Sequence, residues 1–523
     1  MHKRMKILAA LGALTVGVAC NDDAFLTERP FDFIGPTNFY NNAGDALAAI
    51  NGVYADFINS TGDNYYGRNF VMLAEHTTEM WTSRLSATNE RSQPDVYAIP
   101  VSHAYVQSVW ASAYDAINRA NSVIEHVPTI EMDTALRSRI IAEAKFLRAT
   151  HYFNLVRMFG GVPLKLHETV GLDSLAVPRN TAQEVYAQIE QDLKDAIAIL
   201  PSAKSYTGAD IGRASRGAAK TLLAKVYLQR AGTGVGSAAD WASSLAMSKQ
   251  VQSDGDYSLV SDYKTLFDFI GGTVNERNAE VIFDIQNIRA PGLGGRIGSH
   301  VAPNATAPFL GASTNGSFEA ESIWFASFRA DDKRRDGTFV LSWNRNGTIV
   351  NYVPNNAASS PYASETPFPR KFLDPLMTGT GAEEPNYIVL RYAEVLLMIA
   401  EAANEVGNGP TAEAYSAVNA VRARAGIPAM TPGLSHDLFR DSVFNERRWE
   451  LSLEGPNGYF DSQRNWAWAK ARVEASMVKA RSNSSKFPKA NNTPINDKYK
   501  LMPIPQRAID LNPALKGHQN PGW

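Results

Sequence analysis

The chain of 523 residues has one cysteine, Cys20, so no disulfide can form within it whatever compartment it occupies. Neither sign of charge dominates: 51 Lys and Arg stand against 53 Asp and Glu, a formal net charge of -2. Nucleic-acid binding needs a basic face, and this balance gives no reason to expect one. No apolar run reaches the roughly 20 residues that cross a bilayer as a helix. The sequence has no HExxH, no GxSxG and no Walker-type GxxxxGK[ST], which removes the metallopeptidase, hydrolase-elbow and P-loop readings. Gly292, Gly294, Gly295 and Gly298 of "IRAPGLGGRIG" miss the GxGxxG spacing, and Pro303 and Pro308 argue against the helix a dinucleotide site requires. Hydrophobic content of 44% in 57.1 kDa is enough to fill a large core, so disorder is not the default.

The lone cysteine has an informative setting. His2, Lys3, Arg4 and Lys6 precede a mostly apolar run from Ile7 to Val18, then Ala19 and Cys20. A charged start, a short apolar stretch and a small residue before the cleavage point read as an export signal over residues 1–19. A cysteine directly after the small residue suggests a bacterial lipoprotein, acylated at Cys20. Gly17 stands where such signals usually carry Leu. Two or more acyl chains, at about 0.8 kcal/mol per buried methylene, hold a protein stably on a membrane.

The rest of the chain reads as helices with small residues at their contacts. In "RSRIIAEAKFLRATHYFNLVRMFGG" the stripe Ile140, Ala144, Leu147, His151, Leu155 and Met158 shares one face and ends at Gly160 and Gly161. "TAQEVYAQIEQDLKDAIAILP" opens on the capping-box pair Thr181 and Glu184 and stops before Pro201. "GRASRGAAKTLLAKVYLQRAG" with "WASSLAMSKQVQSDG", and "LRYAEVLLMIAEAANEVGN" with "TAEAYSAVNAVRARAG", are helix pairs like tetratricopeptide repeats, which stack into a superhelix. Trp110 lies at helical spacing from Tyr114 and Ile117 and reads as core; Trp449 and Trp466 read as structural.

Between 254 and 385 the texture changes to Gly, Asn, Pro, Ser and aromatics with short strand-like runs. Phe309, Phe318, Trp324, Phe325, Phe328, Trp343 and Tyr352 argue against a linker there. A second loop-rich stretch covers about 60–100. The expected architecture is mainly α: a tetratricopeptide-like scaffold over about 36–253 and 386–523, carrying these two insertions, with 20–523 as one domain. Two polar stretches, "EHTTE" (Glu75, His76, Glu79) and "ADDKRRD", read as solvated rather than as ligand sets, so neither a metal nor a cofactor is expected.

Eight blocks carry a resemblance to a known family: "CNDDAFLTERP", "YDAINRANSVIEHV", "AEAKFLRATHYFNLVRMFGGVPL", "GRASRGAAKTLLAKVYL", "YIVLRYAEVLLMIAEAANEVG", "VNAVRARAGI", "ERRWELSLEG" and the closing "LMPIPQRAIDLNPALKGHQNPGW". In this order, over essentially the whole mature length, they resemble the SusD/RagB family of surface lipoproteins. Asp22 and Asp23 look like the surface-export tag of such lipoproteins. The chain departs at "EGPNGYFDSQRN", which inserts Pro456, Asn457 and Gly458 and lacks the usual Trp-Gly after the Arg. The resemblance implies an outer-membrane lipid anchor facing outward and no catalysis. It also implies capture of a glycan or similar nutrient for a SusC-like TonB-dependent transporter. "TTEMWTSR" is similar to the family's "TDEM...PTR", which places Glu79, Trp81 and Arg84 at or near the ligand. Asn89 is a candidate hydroxyl partner, and Trp324, Trp343 and Tyr352 of the second insertion are candidate platforms, since a pyranose offers an apolar face ringed by hydroxyls. A helical-repeat scaffold that binds peptides, and a glycoside hydrolase with two facing carboxylates, are the alternative readings.

Overall fold

The computed structural model describes residues 39–523 except 59–64, 84–87, 172–175, 268, 271–272, 275–277, 291, 304–305, 308–313, 346, 353–362, 365–366, 378, 380 and 484–493. Cys20 and the expected export signal over residues 1–19 lie outside the described residues. Among the described residues no helix is long and apolar enough to cross a membrane.

The helices α1 (Ala43–Ala55), α2 (Asn69–Glu75), α3 (Ala104–His126), α4 (Thr134–Phe159), α5 (Ala182–Ile199), α6 (Arg216–Gly232) and α7 (Ala239–Asp254) make up the first part. After the short α8 (Ile297–Val301), α9 (Ser322–Ser327) and α10 (Arg334–Thr338) come α11 (Tyr392–Val406), α12 (Ala412–Ala425), α13 (His436–Leu451), α14 (Asn457–Arg464), α15 (Trp466–Asn483) and α16 (Gln506–Leu511). Most of the long helices start where a side chain answers their free N–H groups, α7 and α11 being exceptions. Asp133 caps Leu136 at 2.8 Å, Ser215 caps Ala218, and Thr181 and Glu184 form the full capping box. At the end of α4, Gly160 takes φ +72°, which glycine adopts without strain.

Neighbours in the chain pack on one another from α3 through α7, and α7 then packs on α11, which packs on α12 and α13. The stack therefore continues across the second insertion as if it were absent. Every residue of the α4 stripe is buried, His151 included. Its ring stacks on Phe57 at 4.6 Å, and burial pushes it down to about 3, so it packs as a neutral aromatic. Trp110 is buried as expected.

The second insertion leaves the stack through a neck, where β4 (Val281–Ile285) pairs antiparallel with β12 (Tyr387–Arg391). Beyond the neck lie short strands. β1 (Trp81–Thr82) of the first insertion pairs with β6 (Glu319–Ala320) of the second. β2 (Phe269–Ile270) pairs with β3 (Thr273–Val274), and β7 (Phe339–Val340) with β11 (Phe368–Pro369). β5 (Thr306–Ala307), β8 (Ser342–Arg345), β9 (Thr348–Tyr352) and β10 (Ala363–Ser364) form a four-stranded sheet in the order β10-β9-β8-β5.

A buried ion network fastens neck to stack. Glu450 accepts from Arg334 at 3.1 Å, Arg391 at 2.5 Å and Arg424, while Glu280 accepts from Arg391 and Arg424. Lys371 of the insertion reaches Glu454 at 2.6 Å. Burial works to raise the Glu450 carboxyl, but the three guanidiniums overcome it and hold the group well below the usual range. "ADDKRRD" belongs here: the solvated reading holds for the exposed Ala330, Asp331, Lys333 and Asp336 and is corrected for Asp332 and Arg334, which are buried and paired at 2.7 Å, with Arg334 continuing to Glu446 at 2.6 Å.

Candidate loop-layer site

The two insertions meet above the stack. At the base of this layer Trp81 and Trp324 cross edge-to-face at 4.7 Å, and Phe339 closes on Trp324 at 5.0 Å and on Phe328 at 5.1 Å. Trp81 and Trp324 are 0% and 1% exposed. The platform role expected of Trp324 and the place beside the ligand expected of Trp81 are therefore corrected: both pack against other rings, and they pin one insertion to the other.

Glu79 is corrected in the same way. Its Oε1 accepts from Arg448 at 2.5 Å and from Arg472 at 3.0 Å. Burial pushes the carboxyl up, but the two guanidiniums prevail and bring it to about 2. The whole "EHTTE" stretch is buried rather than solvated. Glu75, four residues earlier, makes no ion pair among the described residues; it accepts the Gly458 N–H at 3.3 Å, and burial outweighs that bond and the attraction of Lys371 to raise it to about 8. The inserted "PNG" explains this contact, since a Cβ on Gly458 would sit 2.8 Å from Thr78 and 3.0 Å from Glu75 Oε2. Only glycine lets α14 approach so closely.

The glycine-rich stretch at 292–298 does lead into a helix, the five-residue α8, contrary to expectation. Its first N–H groups are taken by a protein carboxylate: Gly298 and Ser299 donate to Glu383 at 2.6 and 2.7 Å. A phosphate has no place there.

The outer part of the layer is built differently. His76 Nδ1 and His103 Nε2 each lie 3.0 Å from a carbonyl oxygen, of Arg91 and Glu90, which fixes the turn at 89–92 from below. Thr82 Oγ1 and the Ser83 N–H donate to Asp95 at 2.9 and 3.1 Å, and Ser92 donates to Ser83 at 2.9 Å. The exposed Asn89 uses its carbonyl oxygen to accept the Arg91 N–H at 3.0 Å, and its amide NH2 has no partner among the described residues. Arg91, half-buried, reaches across to the second insertion, to Asn315 at 3.4 Å and Ser317 at 3.5 Å. Asn315 in turn lies 3.3 Å from His300. This polar seam was not picked out by the sequence reading, although Arg91 follows Asn89 by two residues in a run of turn formers.

Trp343 lies in the outer sheet, outside the main core, in a small cluster with Val350 and Phe368. Phe368 meets it edge-on at 5.2 Å. At 9% exposure Trp343 is buried in this cluster, so the open ring face expected of a platform is not presented. Arg84, Phe309 and the side chain of Tyr352 lie outside the described residues. No group of three or more metal-ligating side chains occurs among the described residues.

This fold and these blocks have counterparts. The SusD family model matches residues 312–523, and a SusD-like model described as starch-binding associating with outer membrane matches residues 41–228. The chain belongs to the SusD/RagB family. A SusD-like protein of Formosa agariphila is 28% identical over 485 residues, 87% of this chain and 90% of its own length. A SusD-like protein of Bacteroides ovatus is 26% identical over 484 residues, 87% and 82%. The crystal structure of a SusD homolog from Bacteroides thetaiotaomicron superposes with TM-score 0.80 at 27% identity, covering 93% of this chain and 98% of that one. A laminarin-binding SusD-like protein shares the fold at TM-score 0.72 and 24% identity, covering 92% and 100%.

Proposed function

We propose that this SusD/RagB-family chain is a surface lipoprotein, anchored in the outer membrane at Cys20 and facing outward. There it captures an oligosaccharide and passes it to a SusC-like TonB-dependent transporter without turning it over. The observation that carries the reading is the seam itself, where the first insertion presents the Asn89 amide, without a partner among the described residues, and the half-buried guanidinium of Arg91, which bridges to Asn315 and Ser317 of the second. Support comes from the family model described as starch-binding and from the fold shared with a laminarin-binding protein.

The ligand-facing set is Asn89 and Arg91, joined by Arg84 and Tyr352 as the sequence reading has them. Glu79, Trp81 and Trp324 support the site from beneath. Stacking contacts of about 1 kcal/mol and hydrogen bonds of about 0.5–1.5 kcal/mol each give micromolar to millimolar affinity. Tethering beside a pore makes that strength sufficient, because the local concentration is high.

The test is a panel of soluble polysaccharides, with retention and product release scored separately. Retention of at least one glycan without shorter products, weakened in Asn89→Ala, supports the reading. Release of shorter sugars, or retention of none, contradicts it.

A further inference from the structure

Away from the loop layer, a cavity of about 470 Å³ opens between the end of α4, the start of α5, the end of α6 and the segment around Lys500. That volume falls in the range of small-molecule sites. Its lining includes Arg157, Arg179 and Lys500 and no aspartate or glutamate.

Arg157 is the unusual member. The other deeply buried arginines, Arg334, Arg391, Arg447 and Arg448, each sit on carboxylates. Arg157 is 4% exposed and has no ion pair among the described residues. Its guanidinium lies between the rings of Phe153 and Phe460, at 4.0 and 3.8 Å. Its Nε donates to the Phe153 carbonyl at 3.3 Å and its Nη2 to Asn154 at 2.6 Å, while the buried Nη1 has no partner. Burial lowers the group only to about 10, so it stays cationic at neutral pH.

Arg179 is held by oxygens that carry no charge: the carbonyls of Phe159, Gly161 and His518 and the amide of Asn520. Lys500 is exposed at the rim, its ammonium 5.9 Å from the Trp466 ring centre. Glu394 acts on Arg157 through space without forming an ion pair to it; a buried cation whose donors meet no carboxylate is costly, and an anion entering beside it offsets that cost. Guanidinium and ammonium groups together suit a planar or tetrahedral oxyanion.

We propose that this cavity is a second ligand site, separate from the loop layer, that takes a sugar unit bearing one oxyanion, a uronate carboxylate or a sulfate ester. That the oxyanion is carried by a sugar rests on the proposed glycan capture, whereas the oxyanion site itself does not, since the two sites share no residue.

The folded full chain is titrated calorimetrically, at low ionic strength, with sodium glucuronate, sodium sulfate and glucose, with Trp466 fluorescence followed in parallel. Glucuronate binds, glucose does not, and added salt weakens the binding. Lys500→Glu, an exposed change, weakens glucuronate at least tenfold and leaves polysaccharide retention at the loop layer intact. Arg157→Gln abolishes binding where its melting temperature shows it folded. Sulfate matching glucuronate shows that the oxyanion alone is read; weaker sulfate shows that the sugar ring contributes. Either supports the site. Glucose binding as well as glucuronate, no binding of either anion across the millimolar range, or an unchanged affinity in Lys500→Glu overturns it.

Discussion

The lower and upper halves of the loop layer use the same residue types to opposite ends. Below, Trp81 and Trp324 pack against other rings and Glu79 gives its carboxylate to two arginines. Above, the Asn89 amide has no partner among the described residues, Arg91 bridges to Asn315 and Ser317 at 3.4 and 3.5 Å and also meets Tyr105, and Trp343 sits in a small cluster outside the main core. A tryptophan in a long loop is thus a pin where other rings already enclose it, as at Trp81 and Trp324. The lower half forms a fixed frame; in the proposed function the upper half supplies the groups that meet a ligand.

The comparison breaks most severely where frame and stack are joined. Arg391→Ala removes the guanidinium that Glu280, Glu450 and Glu454 share, leaving Arg334, Arg424 and Lys371 to balance the three buried carboxylates with one cation fewer, and is expected to cost about 3–5 kcal/mol, or to prevent folding, measured by denaturant melts. Trp324→Ala, which empties the aromatic base, is expected to cost about 3–4 kcal/mol by the same measurement. Trp343→Ala is expected to cost only about 1–2 kcal/mol in such melts, because its cluster is small and lies at the edge.

Glu75 and Glu79 sharpen the contrast within a single segment. Glu79, depressed to about 2, contributes stability that is present above the unfolded value near 4.5 and is lost as pH falls toward 2. Glu75, raised to about 8, favours folding while protonated, so its contribution is full below about 4.5 and is lost as pH rises through 8. Melts across pH 3 to 9 are expected to show Glu75→Gln gaining on the wild type toward the alkaline end and Glu79→Gln losing most at neutral pH. Equal shifts at all pH values for either variant contradict the assignment.

The helical frame was legible in the sequence because its signals are local. The α4 stripe, the Thr181 and Glu184 box, Gly160 and the buried Trp110 each depend on neighbours a few positions away. The candidate site was less so. Glu79 meets Arg448 across 369 positions, Arg91 meets Asn315 across 224, and no periodicity announces such pairs. "EHTTE" and the Asp332 and Arg334 of "ADDKRRD" look solvated for the same reason: the cations and carboxylates that make their burial tolerable lie elsewhere in the chain. One hint was present, since Glu446, Glu450 and Glu454 recur every four residues in the block that closes the frame, a face too acidic for water alone to explain once Arg334, Arg391 and Arg424 converge on it.

The account stands most directly on the seam. Asn89→Ala is a surface change expected to alter stability by less than about 0.5 kcal/mol. Affinity for a retained glycan and melting temperature, measured together for the wild type, Asn89→Ala and Arg91→Ala, decide the matter. The account predicts at least a tenfold loss of affinity in both variants with the melting temperature of Asn89→Ala unchanged. Full affinity in both folded variants contradicts it.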